Sequence, residues 1–203
     1  MKTLFYDWKE NINAEELENV IKVIIDGGVV IFPTDTVYGV AANSLDETAI
    51  KKLFDLKERN DNKPICVLTS SVDKIKKIAY VRDEEQKIIY KYMPGALTII
   101  LDKKEIVSDV LTSGLKTVGV RIPNNEIALR ILDKLEYPLA TTSANISGME
   151  AAVKKEDLVK EFDGKVDIII DGGITDLKVS STIVKIKNNE IEVLRQGTIK
   201  ITD

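Results

Sequence analysis

A chain of 203 residues, 44% hydrophobic and 31% charged, can bury a core without covalent staples and is too apolar to remain disordered. It has no histidine and one cysteine, Cys66, which excludes an intramolecular disulfide, histidine-based zinc sites and every mechanism that takes its general base from an imidazole. A formal net charge of −4 also argues against a chain whose main task is to coat nucleic acid.

Asn13-Ala-Glu-Glu16 pairs a capping residue with an acid three positions on, the signature of a helix start. Leu17, Val20, Ile21 and Ile24 then recur at helical spacing until Gly27-Gly28 ends the run. Val29 to Phe32 reads as a short apolar strand stopped by Pro33. Asp46 opens a second helix with Ile50, Leu53, Phe54 and Leu56 on its inner side, and Ile65 to Leu68 is a second buried strand. Helices are predicted near 72–79 and 83–92, and strands at Leu97–Leu101 and Thr117–Ile122, the latter ended by Pro123. Glu126 to Leu135 is helical, and Pro138 to Thr142 is a strand leading into the polar run Ser143–Gly148. A helix near 156–162 and a strand at 166–170 follow. Ser181–Ile186 and Glu190–Arg195 form a closing hairpin across Lys187-Asn188-Asn189.

Short apolar strands alternating with helices predict an α/β sheet covered by helices. The closing hairpin makes that sheet mixed. No repeat, low-complexity tract or linker interrupts the chain, so a single domain over 1–203 is expected. The first ten residues meet Asp7 and Glu10 before any apolar run, unlike a signal peptide. No uncharged apolar stretch approaches the roughly 18 residues of a membrane span. A cytoplasmic location with no membrane contact is expected.

Polar, loop-type sequence concentrates after strands, where ligands of open α/β sheets bind. Pro33-Thr-Asp-Thr-Val-Tyr-Gly39 packs two hydroxyls, a carboxylate and a phenol beside a glycine. A tight turn with local side-chain-to-backbone bonds explains it as well as a ligand does. Lys57 and Arg59 sit at a helix end, where the helix dipole alone favours cations. They converge on a phosphate only if the chain leaves the helix, as Asn60-Asp-Asn-Lys-Pro64 indicates. Thr117, Gly119 and Arg121 share one strand face at period two. An arginine inside an apolar strand needs a partner; a bound anion would supply one, and an exposed edge strand would remove the need. Thr141-Thr-Ser-Ala-Asn-Ile-Ser-Gly148 offers hydroxyls and backbone amides to an anion, without the lysine of a P-loop, or is a polar connection. Ser181-Thr182 and Arg195-Gln-Gly197 lie at the two ends of the closing hairpin.

In order along the chain, PTDTVYGV (33–40), LKER (56–59), PGALTIIL (94–101), TVGVRIP (117–123), TTSANISG (141–148), SSTIV (180–184) and VLRQG (193–197) resemble the YrdC family, over about residues 12 to 197. Within it the chain is similar to the threonylcarbamoyl-AMP synthases. The family's Lys-x-Arg and Ser-x-Asn pairs are matched at Lys57, Arg59, Ser143 and Asn145. The resemblance implies a YrdC-like fold: a twisted mixed β-sheet flanked by helices, with a central concave nucleotide cavity. It implies a nucleotidyltransferase that joins L-threonine, bicarbonate and ATP, with Mg²⁺, into threonylcarbamoyl-AMP and pyrophosphate. Lys57, Arg59, Ser143 and Asn145 would be catalytic; Thr36, Lys63, Arg121, Thr141 and Ser181 would line the threonine pocket; Lys57, Arg59, Thr117, Ser143 and Arg195 would hold ATP. No protein metal ligands are expected.

The product would pass to a tRNA threonylcarbamoyl transferase complex, with at most weak contact to tRNA itself. Lys63 departs from the histidine of many members, and Ala151 stands where some relatives carry a serine near the nucleotide. Longer synthases carry an additional C-terminal domain; here the closing hairpin and C-terminal tail are expected to close the ATP site. The alternative is an RNA-binding or ribosome-associated module on the same fold. A carbamoyl-transfer domain of hydrogenase maturation is disfavoured by the single cysteine and the lack of histidine.

Overall fold

The computed structural model describes residues 2–57, 63–146, 148–187 and 190–201. The described residues form ten strands in one mixed sheet. They are β1 (Leu4–Asp7), β2 (Val30–Phe32), β3 (Gly39–Asn43), β4 (Cys66–Leu68), β5 (Leu97–Asp102), β6 (Thr117–Arg121), β7 (Leu139–Ser143), β8 (Ile168–Asp171), β9 (Thr182–Lys187) and β10 (Glu190–Arg195). Their spatial order is β1-β8-β2-β3-β7-β4-β6-β5-β9-β10. Pairing is parallel for β1/β8, β2/β8, β4/β6 and β5/β9, and antiparallel elsewhere.

Among the described residues seven helices cover the sheet: α1 (Ala14–Ile25), α2 (Glu47–Leu56), α3 (Val72–Ile78), α4 (Asp83–Tyr92), α5 (Asp109–Thr112), α6 (Glu126–Lys134) and α7 (Lys155–Phe162). The predicted caps form as the side chains dictate. Asn13 Oδ1 accepts from the amides of Glu15 and Glu16, and Asp46 Oδ1 from those of Thr48 and Ala49. Each satisfies donors that the first helical turn leaves unpaired.

The period-two alternation of the strands divides the core in two. On one face Val30, Phe32, Ala41, Leu68, Leu139, Ile168 and Ile170 pack with Leu17, Val20, Ile21 and Ile24 of α1 and Ala128, Ile131 and Leu132 of α6. On the other, Ile31, Val40, Val67, Ile99, Val120, Ala140 and Ile169 pack with residues of α2, α3, α4 and α7. Continuing the alternation, Gly39, Cys66, Thr98, Gly119, Arg121, Thr141 and Ser143 fall on the α1/α6 face. Those positions are small or polar, and all but Gly119 line a cavity. The site is therefore a stretch of sheet face that α1 and α6 do not cover.

The structure departs from the sequence reading at three short elements. β1, β3 and α5 had no prediction, and β3 begins at Gly39, the last residue of the polar segment 33–39. β1 is an edge strand with Leu4 and Phe5 exposed, so it lacks an alternating pattern. β3 is Gly-Val-Ala-Ala-Asn, mostly small residues of low strand propensity. β8 runs from Ile168 to Asp171, one residue beyond the strand expected at 166–170. The turn predicted for the hairpin lies partly outside the described residues; β9 and β10 pair antiparallel around it, with an irregularity between Val193 and Arg195.

Candidate active site

The loop between β2 and β3 folds back on itself. Thr34 Oγ1 donates to the Val37 carbonyl at 2.7 Å and accepts from the Thr36 amide at 3.1 Å. The Leu177 amide donates to the Asp35 carbonyl at 3.0 Å. Tyr38 is fully buried; its hydroxyl donates to the Gly173 carbonyl at 2.7 Å and accepts from the Gly172 amide at 3.1 Å. Burial pushes its phenol from 10.0 up to about 12. These bonds fix the loop that presents Thr34, Asp35 and Thr36.

Arg121, at the end of β6, is only 6% exposed. Its Nε donates to the Gly95 carbonyl at 2.9 Å, Nη1 donates to Thr36 Oγ1 at 2.8 Å, and Nη2 forms an ion pair with Asp35. Burial holds the guanidinium below its usual range, while the charge and hydrogen bond of Asp35 work the other way. The sequence left a bound anion or an edge position as ways to accommodate this arginine. The structure removes the edge position, because β6 is interior to the sheet, and it adds a partner within the chain, Asp35.

A cavity of about 190 Å³ opens beside Arg121, bounded by Thr36, Thr98, Thr141, Ser143, Ser181 and Arg195 among others. Thr98 and Ser181 share a hydrogen bond at 2.8 Å. Arg195 closes the side formed by the hairpin: Nε and Nη2 donate to the Ser181 carbonyl at 3.1 and 2.8 Å. Gly197 makes this possible, because a Cβ there would lie 2.3 Å from the Ser180 carbonyl oxygen. Gly119 likewise leaves room for Cys66, whose Sγ would lie 2.7 Å from an added Cβ.

Lys57 caps the end of α2 and is buried. Its Nζ donates to the Ser143 carbonyl at 2.7 Å and to Asn145 Oδ1, and lies 3.5 Å from Ser143 Oγ. Ser143 Oγ in turn donates to Asn145 Oδ1 at 2.7 Å. Asn145 opens onto a second cleft of about 760 Å³, lined also by Ile146, Met149, Ala151, Lys160 and Lys178. Val37 and Ser180 border both spaces.

Of the predicted residues, the structure thus assembles Thr36, Arg121, Thr141, Ser143, Ser181 and Arg195 at one cavity, with Lys57 and Asn145 bonded to Ser143. Thr117 is not brought there. It faces the same way as Arg121 but lies four residues back on β6, about 13 Å along the strand, opposite Asp102. Lys63 is exposed, next to Pro64 of the cavity wall. Arg59 and Ser147 lie outside the described residues. Asp35, Thr98 and Cys66 were absent from the predicted set. Thr98 had a readable signal, a hydroxyl inside the apolar strand Leu97–Leu101.

Residues 22–197 match the Sua5/YciO/YrdC family, described as telomere recombination. A putative threonylcarbamoyl-AMP synthase of Methanocaldococcus jannaschii is 41% identical over 196 residues, 97% of this chain and 92% of that protein. The threonylcarbamoyl-AMP synthase of Pyrococcus abyssi is 37% identical over 202 residues, 99% of this chain but 59% of its own length. The chain therefore spans well under two thirds of that longer relative. The crystal structure of Pyrococcus abyssi Sua5 complexed with L-threonine superposes with a TM-score of 0.93 at 37% identity, covering 96% of this chain and 58% of that one.

Proposed function

We infer the activity from one premise: this chain belongs to the Sua5/YciO/YrdC family. We propose that it is an L-threonylcarbamoyladenylate synthase, a nucleotidyltransferase that converts L-threonine, bicarbonate and ATP to threonylcarbamoyl-AMP and pyrophosphate for the threonylcarbamoyladenosine of tRNA. The observation that carries this reading is the convergence of Thr36, Arg121, Thr141, Ser181 and Arg195 on one small polar cavity beside the bonded group of Lys57, Ser143 and Asn145. The names of the relatives and the threonine complex of the similar structure support it. A polar cavity of this kind favours small-molecule chemistry over an RNA-binding module on the same fold.

In this reading the inner cavity takes L-threonine, its carboxylate against Arg121 and its polar groups among Thr36, Thr141 and Ser181. The larger cleft beside Asn145, of about 760 Å³, is within the range of cavities that bind small ligands, and takes the nucleotide. Lys57 and Arg195 meet the phosphates at the junction, and Arg59 is a further phosphate-binding cation. The threonine amine and bicarbonate condense with loss of water to a carbamate. A carbamate oxygen then attacks the α-phosphorus, and pyrophosphate leaves. The carbamate is already an anion, so this second step needs no histidine base. The demand on the protein is to hold two anions in line and to stabilise charge on the transferring group.

Among the described residues no group of three or more carboxylate or cysteine side chains is placed to hold a metal, and Asp35, beside the cavity, is taken up by Arg121. We therefore treat Mg²⁺ as entering with ATP, where it would neutralise phosphate charge. Among the described residues no helix is long and apolar enough to cross a membrane. We place the reaction in the cytoplasm, with a tRNA threonylcarbamoyl transferase receiving the labile mixed anhydride.

The test is release of pyrophosphate from Mg-ATP by purified protein. Release that requires both L-threonine and bicarbonate is expected. Release independent of bicarbonate, or none from a folded sample, refutes the assignment.

A further inference from the structure

Asp35 is the buried acid of the β2–β3 loop, 5% exposed, and its carboxylate faces Arg121. Its loop is held on several sides by the Thr34 bonds and by the Leu177 amide. Such a residue is placed by its surroundings and does not wander to find a partner.

A guanidinium carries five N–H donors in a rigid plane. In Arg121, Nε is committed to Gly95, one Nη1 hydrogen to Thr36 and one Nη2 hydrogen to Asp35. Among the described residues this leaves one donor on each terminal nitrogen, as many as a carboxylate has oxygens. Arg121 forms part of the cavity wall. Of its three anchors only Asp35 is charged, so it makes the strongest of the three bonds. It also offsets a cation that would otherwise be buried alone.

We propose that Asp35 is the positioning residue of the amino-acid subsite. It does not touch the substrate; it fixes the plane of Arg121, so that the two remaining donors meet the substrate carboxylate side by side. This rests on the reading that the cavity takes L-threonine.

The experiment measures binding of L-threonine and of L-threoninol, in which the carboxylate is replaced by CH₂OH, to the full chain by calorimetry, with ATP binding alongside. In the parent protein L-threonine binds more tightly than L-threoninol. In Asp35→Ala that preference falls by about 10- to 100-fold, the scale of an ångström-level misplacement, while ATP affinity holds. Asp35→Asn retains an acceptor oxygen of the same reach but not the charge, and keeps more of the preference than Asp35→Ala does. Asp35→Glu retains the charge but shifts the carboxylate by a methylene, and loses the preference as Asp35→Ala does. It serves as the second variant if Asp35→Ala does not fold.

An unchanged preference in Asp35→Ala or Asp35→Glu overturns the proposal. So does an equal loss for both ligands, which marks general damage, or an Asp35→Asn variant as impaired as Asp35→Ala. A folded parent that binds neither ligand overturns the threonine reading itself, and this is seen before any variant is made.

Discussion

Replacing Gly197 with alanine tests whether the C-terminal tail builds the ATP side of the site. Gly197 is not in the left-handed region, so an alanine meets no backbone strain and the effect is steric alone. The added Cβ would lie 2.3 Å from the Ser180 carbonyl oxygen, and 2.5 Å from both the Ser181 carbonyl carbon and the Thr182 nitrogen. All three are backbone atoms in the run entering β9 and cannot rotate aside. Restoring an ordinary contact of 3.4 Å moves the tail by about 1 Å, enough to break a hydrogen bond of normal length. The bonds at stake are Gly197 N to Thr182 Oγ1 at 3.0 Å and Thr182 Oγ1 to the Ile199 carbonyl at 2.7 Å. At about 1 kcal/mol each, with the usual scatter, their loss amounts to about 1–3 kcal/mol.

β10 is largely exposed, so the cost falls on local opening and not on global unfolding. Amide exchange across residues 195–199 should quicken by about 5- to 150-fold, with little change in melting temperature. Arg195, two residues away, loses its fixed grip on Ser181, so ATP affinity should weaken by a factor within the same range while L-threonine affinity changes less. Hydrogen-exchange mass spectrometry and an ATP titration read both. Exchange within twofold of the parent together with unchanged ATP affinity would refute the reasoning.

Lys57→Ala and Arg59→Ala should each lower turnover on the order of 100-fold, the loss of one preorganised charge. Near-parental pyrophosphate release by both would reduce the pair to helix-end cations. Gly119→Ala presses on Cys66 Sγ at 2.7 Å, Ile100 Cδ1 at 3.2 Å and Thr98 Cγ2 at 3.3 Å, and should destabilise by about 1–3 kcal/mol, less the few tenths regained from a stiffer unfolded chain. Combining it with Cys66→Ala should recover most of that loss; urea midpoints that simply add would show that Cys66 is not the obstacle. The folded state holds the Tyr38 proton more tightly than the unfolded state, because burial raises its phenol from 10.0 to about 12. Its contribution is therefore complete below pH 10 and is lost as pH rises from 10 towards 12. Tyr38→Phe should flatten stability across that window, and parallel pH curves for the two proteins would contradict the assignment.

The helices that pack on the sheet were readable because their signals are local. A cap, an acid and apolar residues at spacings of three and four placed α1, α2 and α6 to within a residue or two. The strands were readable where they are apolar on both faces, and unreadable in β1 and β3, where exposure or small side chains erase the pattern. Within the site, sequence order supplied the residue types but not who meets whom. Lys57 and Ser143 are joined only because β7 lies between β3 and β4, bringing its end to the end of α2. Asp35 was visible as a carboxylate in a polar loop, yet nothing local says that it answers Arg121. Thr117 does share the strand face of Arg121, as read from the sequence, but a face does not specify distance along the strand.

The place of β7 in the sheet also bears on how the chain emerges during synthesis. Before Leu139 is made, β2 pairs with β3, and β4 with β6 and β6 with β5, as two separate fragments. β7 is the splint between them. At ordinary elongation rates the interval from Leu68 to Leu139 is about 4–14 s, during which β3 and β4 each show the ribosome exit an unpaired edge. Such edges recruit neighbouring chains. The nascent protein thus exposes four such edges midway through translation; residues 139–143 close those of β3 and β4, and those of β2 and β5 wait for β8 and β9.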